Sequence, residues 1–69
     1  MTDMERVWVR IKHTGREYAR RGHVPSRIEA RVVILDIAEK EGVVLLPPEA
    51  MQYLVRELIA FSADQRVDV

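Results

Sequence analysis

The residues of this chain whose types and spacing most invite chemistry are its cations near the amino terminus. Arg6, Arg10 and Lys12 stand at alternate positions with Trp8 among them, and Arg16, Arg20 and Arg21 follow around Tyr18. Cationic side chains neutralise phosphates and release their counterions, while exposed aromatic rings stack on unpaired bases. Together these residues form a candidate nucleic-acid-binding surface, with Trp8 and Tyr18 as the stacking pair. The plainer account is that Trp8 belongs to a core and that the arginines keep an outer face in water.

The neutral total charge conceals a division. Residues 1–34 hold eight Lys/Arg against four Asp/Glu, a balance of +4, and residues 35–69 hold three against seven, a balance of −4. Such a dipole suits an anionic partner at one end, or pairing with a second copy of the chain. It also suits a protein partner. Glu39, Glu41, Glu49 and Glu57 would steer a basic protein toward the acidic half, with the segment from Met51 to Phe61 supplying apolar area. A sequence pI near 6.7 weighs against nucleic acid, since many of its binders are basic overall.

Other chemistries find little support. With no cysteine there is no thiol nucleophile, disulfide or thiolate zinc site, and no glycine-rich phosphate loop or His-Glu-x-x-His pair occurs. Ser26 beside His23 is the one nucleophile-and-base combination close in sequence, and a loop explains both residues without catalysis. His13 and His23, with Glu17 between them, could ligate a metal only if the fold joined them, which their spacing does not require. The expectation is a binding module that is not an enzyme and carries no metal or cofactor.

The elements that must position these residues are marked by glycine and proline. Gly15 and Gly42 each follow a polar cluster between β-branched segments, as hairpin turns do. Residues 5–12 alternate as a strand with Val7, Val9 and Ile11 on one face and Arg6, Trp8, Arg10 and Lys12 on the other. Residues 27–37 alternate and then become apolar on both sides, as a buried strand does, and residues 43–46 return until Pro47 and Pro48 end them. Pro48 and Glu49 then open a helix with Met51, Leu54, Val55, Leu58 and Phe61 on one face and Tyr53 at its rim.

This reading gives a mainly β domain: a small curled sheet, or an SH3-like or OB-like barrel of four or five strands, covered by one C-terminal helix. The alternative is an all-α three-helix bundle. Thr2-Asp3-Met4-Glu5 and Ser26-Arg27-Ile28-Glu29 both spell capping boxes, and Gly42 could stop a second helix. Against it stand Gly15 in mid-helix and a second helix apolar nearly all round, with Glu39 landing between Ile28, Val32 and Leu35.

Residues 1–69 should form a single domain whose tail, 63–69, frays. So short a chain has a thin core, and with disulfides unavailable, association into a homo-oligomer is the expected compensation. Asp3, Glu5 and Arg6 stand where a secretory signal would need apolar residues, and no apolar run exceeds four residues, which predicts a cytoplasmic protein without a membrane span.

Overall fold

Thr2 starts the first helix, and its capping box forms in full. The Thr2 hydroxyl accepts from the Glu5 amide at 3.2 Å and the Glu5 carboxylate accepts from the Thr2 amide at 2.8 Å. In the computed structural model, which describes residues 2–43 and 47–64, three helices follow in order. They are α1 (Asp3–Arg21), α2 (Arg27–Lys40) and α3 (Pro48–Ala63).

The mainly β expectation is therefore overturned. No strand occurs among the described residues, and the curled sheet, the SH3-like or OB-like barrel and its hairpins give way to the three-helix alternative. The decisive observation in α1 is the period of burial. A strand would put Val7, Val9 and Ile11 on one face, yet Val7 and Ile11 are fully buried while Val9 is 47% exposed. Burial every fourth residue continues to Gly15, which is a turn of an α-helix.

Gly15 argued for a hairpin on propensity alone, because glycine in a helix interior costs about 1 kcal/mol relative to alanine. Its cause is tertiary. A Cβ at this position would run into Phe61 Cβ and sit 3.4 Å from the Leu58 carbonyl oxygen, so only glycine lets α3 cross α1 this closely. Ser62 follows Phe61 on the third helix. It is buried, and its hydroxyl is spent on the Leu58 carbonyl at 2.7 Å.

Both interhelix turns begin with glycine in the left-handed region. Gly22 (φ 70°) and Gly42 (φ 79°) each end a helix in a Schellman arrangement, with His23 N–H donating to Tyr18 O at 3.0 Å and Val43 N–H to Ala38 O at 2.8 Å. Gly42 thus stops a helix rather than turning a hairpin. Of the expected returning strand, Val43 packs against the core as non-regular chain, and residues 44–46 lie outside the described residues. Ser26 caps α2 by accepting from the Glu29 amide at 3.1 Å.

The third helix starts at Pro48 as the sequence implies, with Leu54, Val55 and Leu58 buried and Tyr53 half exposed, but it packs on helices and not on a sheet. Its closest partner is α1, and α2 leans against both. Val7, Ile11, Ala30, Ile34, Leu54 and Leu58 are fully buried between them. Each large aliphatic side chain there contributes about 1.5–3 kcal/mol of burial. Ala63 still belongs to α3, and residues 65–69 of the expected tail lie outside the described residues. No helix among the described residues is long and apolar enough to cross a membrane.

Candidate protein-docking surface

Helical geometry redistributes the residues of the expected cationic surface: Arg6, Arg10, Arg16 and Arg20 fall on one outer face of α1, and Trp8 and Lys12 leave it. Trp8 leaves the face of Arg6 and Arg10 and packs edge-on against Phe61, with ring centroids 6.0 Å apart. Lys12 sits over the indole at 5.3 Å from its centroid, so that ring is contacted both by Phe61 of α3 and by an ammonium. Tyr18 is half-buried against the core and meets His23 edge-on at 5.2 Å. The expected stacking pair is thus engaged within the fold.

The arginines of α1 are mostly engaged too. Arg6 pairs with Asp3 and, at 3.4 Å, with Glu41, while Arg10 meets the other Glu41 oxygen at 3.0 Å. Glu41, whose side chain is only 19% exposed, therefore clamps α1 to the C-terminal end of α2. The division of charge along the sequence is partly spent here, inside one molecule. Arg20 pairs with Glu17 at 2.9 Å. Arg16 and Arg21 are exposed and have no carboxylate partner among the described residues.

The histidines are not brought together. His13 is exposed on the outer face of α1, and His23 meets the Glu29 carboxylate at 3.0 Å. That contact takes the Glu29 side chain away from the Ser26 amide, so the second capping box forms only in its hydroxyl half. His23 and Ser26 do not hydrogen-bond to each other among the described contacts; one joins the Glu29 side chain and the other its backbone. Glu5 is held below the ordinary glutamate value, first by the Thr2 amide and then by the Thr2 hydroxyl.

A different surface is left open. Ile28, Val32 and Leu35 are 78%, 61% and 52% exposed and fall at i, i+4 and i+7 on α2. At about 100° per residue this stripe lies roughly 140° around the helix from Ala30, Ile34, Ile37 and Ala38, which face the core. The helix is amphipathic twice over. Its apolar circumference, which counted against a helix in the sequence, is one stripe that faces the core and a second that faces water.

The open stripe runs into a groove of about 350 Å³ between α2 and α3. Ile28, Met51 and Val55 line it, with Arg27, Arg31 and Arg56 around them. None of these three guanidiniums has a carboxylate partner among the described residues. On the opposite margin of the stripe α2 carries Glu29 and Asp36, the latter paired with Lys40 at 3.1 Å.

The strand reading missed this surface because it puts Ile28 and Val32 on one face and Leu35 on the other. The signal that finds it is the three-four spacing of these residues between two arginines and an aspartate. No family model, no curated protein and no solved structure matches the chain.

Proposed function

We propose that the chain is a non-enzymatic, cytoplasmic protein-interaction module that docks a helix of another protein chain on the outer face of α2. One observation carries the reading: large apolar side chains at helical spacing stay in water beside three guanidiniums that no carboxylate answers among the described residues. A short domain gains nothing in stability from exposing Ile28, Val32 and Leu35, whereas a partner helix would bury all of them. The matching partner is an amphipathic helix whose apolar stripe is flanked by carboxylates, because Arg27, Arg31 and Arg56 favour acids at the groove margin.

Nucleic acid is the reading this one displaces. Its support was a water-facing ribbon of cations and rings, and Trp8 and Lys12 are engaged with each other and with Phe61 while Glu41 holds Arg6 and Arg10.

The test is fluorescence anisotropy with two synthetic amphipathic helices that share a leucine stripe, one flanked by Glu and one by Lys. The Glu-flanked peptide is expected to bind at least about tenfold more tightly, and Val32→Glu to abolish binding without changing the helical circular dichroism. Equal affinity for both peptides, or binding indifferent to Val32→Glu, refutes the reading. So does retardation of single-stranded RNA or DNA that Arg16→Glu with Arg21→Glu removes while neither peptide binds.

A further inference from the structure

We infer that the helix received by α2 is α2 of a second copy, paired in parallel about a two-fold axis that runs along the seam of Ile28, Val32 and Leu35. This rests on the docking reading above and names its occupant. The argument is that α2 carries both halves of the required match. The partner must present an apolar stripe flanked by acids, and α2 itself presents Ile28, Val32 and Leu35 with Asp36 on one margin and Arg31 on the other.

The spacing fixes a register. Ile28, Val32 and Leu35 fall at d, a and d of a heptad; Val32 at a with Leu35 at d follows the two-strand pattern, which Ile28 at the other d does not select. Arg31 is then at g and Asp36 at e, so Arg31 faces Asp36 of the partner subunit, and the reverse pair forms by symmetry. An antiparallel pair would instead set each margin against its own kind, Arg31 against the partner's Arg31. Charge therefore selects the parallel arrangement. Asp36 is 55% exposed at its side chain and contacts only Lys40 among the described residues, which leaves it open to a second cation.

Glu39 occupies the next a position, where the two copies bring like charges together at the end of the seam. The seam is also short. The 14 residues of α2 span about 21 Å at 1.5 Å per residue. Such an interface falls below the roughly 1,200 Å² of standard complexes, so a dissociation constant in the micromolar range is expected.

Sedimentation equilibrium of the full chain from about 10 μM to about 1 mM tests the inference. A monomer–dimer equilibrium is expected, with Glu39→Leu tightening it at least about tenfold by removing the like-charge contact. Arg31→Glu should weaken it, and adding Asp36→Arg should restore it. All these sites are exposed, and helical circular dichroism confirms that each variant folds.

A wild-type chain and Glu39→Leu variant that both stay monomeric overturn the self-pairing. If the Glu-flanked peptide still binds that monomer through Val32, the docking reading stands and only its occupant is wrong; if it does not, both fall. A dimer that ignores Glu39→Leu and is not rescued by the charge exchange overturns the parallel register.

Discussion

Replacing Gly15 with alanine sets two effects of known sign against each other. In an isolated helix the substitution stabilises by about 1 kcal/mol, because glycine pays more backbone entropy. In this chain the new methyl would overlap Phe61 Cβ, an atom fixed to the α3 backbone, so α3 must shift. Overpacking of a filled site costs about 1–3 kcal/mol. Loosening the edge contact between Phe61 and Trp8 adds about 0.5–1.5 kcal/mol. The cost thus exceeds the gain, and Gly15→Ala should destabilise by about 2 kcal/mol. At about 4–8 °C per kcal/mol for a domain of this size, the midpoint should fall by roughly 10 °C. Thermal unfolding followed by far-ultraviolet circular dichroism and by the Trp8 signal measures this, with Gly22→Ala as the control. Gly22 has open space around its α-carbon and a φ of 70°, so its alanine costs only the left-handed backbone, about 1–2 kcal/mol, and leaves the indole environment unchanged. A Gly15→Ala protein as stable as the parent, or more so, would refute the close crossing of α1 and α3.

Glu41→Gln should cost about 1 kcal/mol, since it weakens two charge-assisted contacts of a mostly covered carboxylate; urea unfolding should show the loss shrinking as salt is raised. Leu58→Ala, at a fully buried position between the helices, should cost about 2–5 kcal/mol in the same assay. Glu5→Gln tests the cap by its pH dependence. The folded state lowers the pKa of Glu5, so its contribution is complete above the unfolded value of about 4.3 and is lost as pH falls through the lower folded value. Parent and variant should therefore differ in melting temperature near neutral pH and converge in acid.

The legible parts of this fold were those written in local chemistry. Thr2 and Glu5 spelled their capping box, Ser26 its cap, Pro48 the start of α3, and Leu54, Val55 and Leu58 its buried face. What misled was propensity whose cause lay in another element. Gly15 reads as a turn until Phe61 is placed against it, and Val7-Trp8-Val9 reads as β until Val9 is seen to face water. The second misreading concerned α2. Alternation from Ile28 to Ile34 fits a strand as well as a helix over so few residues, and an apolar circumference looked like an error because one of its two stripes faces water. The candidate surface was hidden by the same step, since a strand sends Val32 and Leu35 to opposite faces and a helix joins them. The cations of α1 were located correctly in sequence, but whether Arg6 and Arg10 were free depended on Glu41, thirty-five and thirty-one residues away.

The central claim is that the outer face of α2 is where this protein meets another chain. A two-dimensional ¹⁵N NMR titration with the Glu-flanked helix tests it residue by residue. Shifts should concentrate at residues 27–39 and 51–56, around Ile28, Val32, Leu35 and the guanidiniums beside them, and leave the outer face of α1 unmoved. Shifts gathered instead on Arg10, His13, Arg16 and Arg20, or none at all at peptide excess, would contradict it.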